Sequence, residues 1–324
     1  MDKIFTAFGD FSKNEAYNNR FAINHVHIYG LLIKYGCKGK MMEVEQAVPQ
    51  LCEVGAKTSV LGAPITTVSE LFSYRFLVRN LIRREVRGRY RNAMLGYFWT
   101  VIEPALLAVV YWFLFVMLAG RADEMYPVWV LLGVITWGCF GKSLSASVNS
   151  LTGNARTIHL VYFPRTIFPV TAVGANIVVS LMGSLVIIPV LYFYQIPPTI
   201  HLIWVPVGIF LSGLMALGFG MMMAPLNCVQ RDVAHFTRFL TRAGFFFSPV
   251  MWTAEMAMER GTLGAAALWN PMAIPITMVR HGVMGKSIDI PMQYVYSSLI
   301  SIVLFWILGA MIFNKYERGA VKYL

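Results

Sequence analysis

LFSYRFLVRNLIRREVRGRYR (residues 71–91) is followed, after a short link, by GYFWTVIEPALLAVVYWFLFVMLA (residues 96–119). At 100° per residue the first stretch sorts itself into two arcs. Tyr74, Leu77, Val78, Leu81 and Ile82 share one, and Arg75, Arg79, Arg83, Arg84, Arg87 and Arg91 share the other. An apolar face opposite a cationic face is the pattern of a helix lying at a membrane surface, its arginines toward anionic headgroups. The second stretch is long and apolar enough to cross a bilayer, which takes about 20 residues. A basic segment beside a span marks the cytoplasmic side. The pair therefore predicts an integral membrane protein and its orientation.

Composition agrees. Of the 324 residues 57% are hydrophobic and 13% charged, and the mean hydropathy is +0.60. Soluble domains carry about 25% charged residues. The net charge of +11 would suggest nucleic acid in a soluble protein, but the basic residues cluster beside spans, where headgroups account for them. Cys37, Cys52, Cys139 and Cys228 form no CxxC and read as packing residues. His25 and His27 lack spaced partners for a metal. The N-terminal stretch lacks a basic-then-apolar signal pattern, so no cleaved signal peptide is expected.

Residues 1–68 read as a cytosolic extension, 69–95 as the amphipathic helix, and 96–324 as a six-span domain. The expected spans are 96–119, 127–148, 167–194, 202–225, 236–252 and 294–313. Residues 253–291 are apolar but interrupted by Gly261, Gly264, Pro271, Pro275, Gly282 and Gly285. A pair of re-entrant half-helices fits them, since irregular backbone at membrane depth must be covered by protein or water. Six spans put both termini on the cytoplasmic side. Arg156, Arg165, Arg231, Arg238, Arg242 and the tail lysines fall there too, as the charge rule requires.

Chemistry is sparse. Glu103 is the one acid expected inside a span, beside Pro104, and reads either as a gate or partner of a cytoplasmic arginine or as an interfacial carboxylate. Arg231 and Asp232 are further candidates for a gating ion pair. No catalytic residue is expected. Residues 55–59 (GAKTS) fail the GxxxxGK[ST] template, because Gln50 and Ala56 stand where its two glycines belong. Nucleotide binding by that loop is excluded. Tyr97, Trp99, Tyr111, Trp112 and Phe115 mark the ends of the first span, as aromatic belts do. They and the deeper Phe245, Phe246 and Phe247 also suit a conduit on which sugar rings stack. Residues 154–165 (NARTIHLVYFPR) form either a plain cytoplasmic loop or a short helix that a motor subunit grips.

The order of RREVRGRYRNAMLGYFWTVIEP (83–104), NARTIHLVYFPRTIFPV (154–170), RDV (231–233), FFFSPVMW (245–252) and NPM (270–272), with Arg280 and Gly285, resembles the ABC-2 permeases that export polysaccharides, notably those for O-antigen and teichoic acid. The likeness runs from about residue 71 to the C-terminus. It implies a homodimer in the bacterial inner membrane whose twelve spans enclose a channel, driven by two separate ABC ATPase subunits. Those subunits would hold ATP and magnesium, and this chain no cofactor. It implies a gate helix bearing Arg83, Arg84, Arg87 and Arg91. A coupling helix would include Asn154, Arg156, His159, Tyr162, Phe163 and Arg165, and a periplasmic re-entrant gate would lie in 253–291. The cargo implied is a lipid-linked polysaccharide. Capsule glycan, teichoic acid, lipid or drug export remain open, as does a membrane-embedded transferase. Residues 1–68 are longer than the family's usual N-terminus.

Overall fold

A computed structural model describes residues 62–91, 94–119, 125–160, 164–285 and 290–324. The expectations for residues 1–61 with their His pair, for Tyr162 and Phe163, and for the side chain of Phe115 lie outside the described residues. Every element among the described residues is helical. In chain order they are α1 (Ala63–Ser73), α2 (Arg75–Arg89), α3 (Trp99–Ala119), α4 (Tyr126–Val148), the short α5 (Ser150–Gly153) and α6 (Ala155–Leu160), α7 (Ile167–Gly183) and α8 (Ile187–Phe193). There follow α9 (Trp204–Val229), α10 (Asp232–Phe247), the short α11 (Ala254–Glu259) and α12 (Thr262–Ala267), α13 (Ala273–Met284) and α14 (Met292–Ala320).

Five helical stretches are long and apolar enough to cross a membrane: Gly96–Leu114, Tyr126–Val148, Ile167–Phe193, Ile200–Val229 and Met292–Tyr323. They match five of the six expected spans. The sixth differs. Residues 236–252 do not form one long helix; α10 ends at Phe247 after 16 residues and is strongly two-faced. Ser248, Pro249 and Val250, all buried, then turn the chain.

α4 is the central post, with 72% of its apolar window buried, whereas α3 has 11% and stands at the periphery. Close packing of small residues, not water exclusion, holds such a bundle together in lipid. The α9–α14 crossing shows how. A Cβ at Gly218 would stand 2.6 Å from backbone atoms of Phe305 and Trp306, and one at Gly309 would run into the backbone of Gly218. Only glycines let these two backbones approach so closely.

The contacts also fix direction. Along α9, Met215 packs near Ile302, Gly218 against Phe305 and Gly309, and Met221 to Cys228 in the cluster of Ala310, Phe313 and Ala320. Residue numbers rise together, so α9 and α14 run the same way. On α4, Gly141 faces Thr241, Gly244 faces Trp137, and Gly133 faces Val250. α10 therefore climbs antiparallel to α4. α13 runs antiparallel to the start of α9, with Pro275 near Gly208 and Gly282 near His201. It closes at Gly285 in the left-handed conformation (φ +65°) that glycine adopts without strain.

Candidate functional site

The basic segment is two helices, broken at Tyr74 and beginning at Ala63. Its apolar arc is covered by protein as well as offered to lipid. Val86 is buried among Ala175 and Val179, with Ile82 and Tyr90 beside them. Ile82 fits the space left by Gly174. At one end Thr166 Oγ1 donates to Glu70 Oε2 (2.9 Å); at the other Arg89 donates to Asn176 Oδ1. The α1–α2 pair is thus fastened along α7. Tyr74 is exposed at the break, off the arc where the periodicity put it. Arg83, Arg84, Arg87 and Arg91 are exposed, as that periodicity requires.

Beside this helix lies a small cavity lined by Tyr90, Glu103, Lys142, Asn176 and Ser180, among others. Glu103 pairs with Lys142 Nζ at 2.7 Å, both about half exposed. The partner is a lysine on α4, not a cytoplasmic arginine, and among the described residues no ion pair joins Glu103 to Arg231. Arg231 and Asp232 sit exposed at the start of α10. Lys142 is a residue that sequence reasoning passed over. A single lysine in an apolar run was the available signal.

The break after α10 is held by polar groups from distant parts of the chain. Arg280, 2% exposed, donates through Nε to Trp129 O (3.0 Å), through one terminal nitrogen to Trp252 O (2.9 Å), and through the other to Val250 O (2.6 Å). Its guanidinium carbon lies 5.9 Å from the Trp129 ring centre. Asn270 Nδ2 donates to Ser248 Oγ (2.9 Å) while its Oδ1 accepts from Met272 N (2.9 Å), opening α13. Ser298 Oγ donates to Pro271 O (2.6 Å), and Tyr126 OH to Met251 O (3.0 Å). Turn carbonyls that no helix satisfies therefore have partners, as burial demands.

The candidate lining residues divide. Phe245 packs inward, 5.1 Å from Tyr111 and 6.4 Å from Trp137. Phe246 and Phe247 are 65% and 75% exposed, and Tyr97, Trp99 and Trp112 are also exposed. The triplet expected to act together thus serves two faces, because consecutive residues on a helix point about 100° apart. In the connection between α4 and α7, Asn154 Nδ2 donates to Ser150 O (2.8 Å). Ile158 packs on the cluster around Leu151 and Phe168. Asn154, Arg156 and His159 are left exposed, with Arg165 half-buried behind them.

These polar groups fasten helices to one another, and the outward surfaces are aromatic or cationic. That defines a multi-pass helical membrane protein with a bundle interrupted near one face. The chain belongs to the ABC-2 type transporter family, whose pattern matches residues 77–284. It is 24% identical over 256 residues to the O-antigen export system permease protein RfbA of Myxococcus xanthus, covering 79% of this chain and 98% of that one. It is 26% identical over 248 residues to a protein of the same name from Klebsiella pneumoniae (76% and 92%). It is 22% identical over 254 residues to the polysialic acid transport protein KpsM of Escherichia coli (75% and 94%).

Proposed function

We propose that this chain is the membrane subunit of an ATP-driven exporter that carries a lipid-linked polysaccharide of O-antigen type from the cytoplasm to the outer face of the inner membrane. The observation that carries the proposal is the near full-length match to relatives that all bear polysaccharide-export names. The exposed aromatic surface of α3 and α10 is what a sugar conduit requires.

The sixth crossing is composite: α10 rises from the cytoplasmic side, the chain turns at 248–252, and α13 completes the passage. Support comes from α9 and α14 running the same way, since the chain between them must return across the bilayer. Both termini then face the cytoplasm. Within residues 253–291, the short α11 and α12 that precede α13 form the re-entrant outer gate. Two copies enclose the channel, and two ABC ATPase subunits supply the work by docking at the surface of Asn154, Arg156 and His159, with Arg165, Tyr162 and Phe163. The arginines of α2 hold it among anionic headgroups where the lipid-linked cargo enters, and Glu103 with Lys142 ties the foot of α3 to α4. Tyr97, Trp99, Trp112, Phe246 and Phe247 offer ring faces to the glycan. Capsule polysaccharide is the second reading, favoured by the KpsM relatives.

The test is co-purification with an ABC ATPase subunit co-expressed with it. Changing Arg156 and Arg165 to alanine is expected to leave the permease folded and to weaken ATPase association or its coupling to export. Unchanged association and export would refute the docking assignment.

A further inference from the structure

The cytoplasmic ends of α9 and α14 enclose an open apolar groove of about 740 Å³ that the export reading does not use. Its walls include Met222, Leu226 and Val229 on one side and Leu308, Met311 and Ile312 on the other. Leu226 and Val229 are about half exposed, so one long wall faces lipid. At the mouth the chemistry changes abruptly to Lys315, Tyr316, Lys322 and Tyr323. Both lysines are exposed, and among the described residues neither lies within ion-pair distance of a carboxylate. Lys315 Nζ stands 5.1 Å from the Tyr316 ring centre.

Lys315 lies in the last turns of α14 and Lys322 in the single 3-10 turn (Val321–Tyr323) that follows it, and both border the same groove. Gly319 lies between them, and a Cβ there would meet nothing within 4 Å. It has ordinary helical backbone, and neither packing nor dihedral angle calls for glycine, which costs about 1 kcal/mol against alanine in a helix. What it leaves is a notch between two unpaired cations at the edge of an apolar trough. Tyrosines and lysines at this level mark the membrane interface.

We propose that this groove binds an anionic diacyl phospholipid of the leaflet facing the C-terminal end, with acyl chains along α9 and α14 and the phosphodiester seated over Gly319 between Lys315 and Lys322. Charge complementarity selects this occupant: basic pockets between spanning helices on the cytoplasmic side suit anionic headgroups, whereas an apolar helix of a partner would leave both cations unmatched. The inference is independent of which glycan is exported.

Native mass spectrometry of the full-length chain in neutral detergent, titrated with phosphatidylglycerol or phosphatidylcholine, tests it. One phosphatidylglycerol is expected to be retained preferentially. Lys315→Gln with Lys322→Gln should weaken that retention about fivefold per lysine and leave phosphatidylcholine unchanged. Gly319→Leu should fill the notch and abolish the preference without lowering the unfolding temperature. Equal retention of both lipids, indifference to the lysine changes, or displacement by millimolar inorganic phosphate would overturn the proposal. So would a change of oligomeric state in Gly319→Leu, because the groove would then belong to a second copy.

Discussion

Arg280 offers the sharpest test of how the turn after α10 is held. Its guanidinium satisfies the turn carbonyls of Val250 and Trp252 and also bonds Trp129 O. Arg280→Met preserves most of the volume and orphans both turn acceptors. Each unpaired buried carbonyl costs about 1–3 kcal/mol, or roughly 2–6 kcal/mol for two. Removing the buried charge relieves its desolvation, which pulls the net toward the lower end. A loss of about 2 kcal/mol or more is expected, with Arg280→Lys intermediate, because lysine keeps the charge but reaches fewer carbonyls. Gly133→Ala attacks the same joint from α4, since its Cβ would stand 2.9 Å from Val250 O and 3.0 Å from the guanidinium. The two changes combined should lose less than the sum of each, because without the guanidinium the new Cβ at 133 loses one of the atoms it crowds. The assay is denaturant unfolding of the purified chain in mixed micelles. An Arg280→Met protein as stable as the parent, or strictly additive losses, would refute the role given to this side chain.

Three further expectations follow from the packing. Gly309→Ala should force α14 away from the α9 backbone and cost about 1–3 kcal/mol or more, read by the same unfolding assay; an unchanged midpoint would contradict the crossing. Burial pushes the Glu70 carboxyl above its usual range, partly offset by the Thr166 hydroxyl. Its ionised form is therefore disfavoured in the fold, and stability should fall as pH rises from about 4.5. Glu70→Gln should match the parent below that pH and exceed it at neutral pH; thermal unfolding across the range checks the sign. Breaking the half-exposed Glu103–Lys142 pair with Lys142→Gln should cost no more than about 1 kcal/mol, while a charge-reversed double variant recovers it.

Length and apolarity made five candidate spans legible, because about 20 apolar residues in a row suffice to cross a bilayer. Residues 236–252 do not form the one long helix expected of them, for a physical reason. Residues 236–247 mix Arg238 and Arg242 with five phenylalanines, so they read as part of a span, but the helix stops where Ser248 and Pro249 turn it. The way α13 is joined to this turn depends on Arg280 reaching partners 28, 30 and 151 positions away, which periodicity cannot show. The arginine arc of α2 was visible at 100° spacing, whereas the break at Tyr74 and the cover supplied by α7 were not, since both depend on a neighbour distant in sequence. Glu103 was visible as an acid in an apolar run. Its partner Lys142 was equally visible in type but not in pairing.

The most direct test of the central claim is transport in sealed proteoliposomes holding this chain with its ABC ATPase and a lipid-linked glycan of O-antigen type. The account predicts ATP-dependent movement of the glycan to the opposite face, with no nucleotide hydrolysis when this chain is present alone. Hydrolysis by the permease alone, or a glycan that stays on its original face while the ATPase turns over normally in the complex, would contradict it.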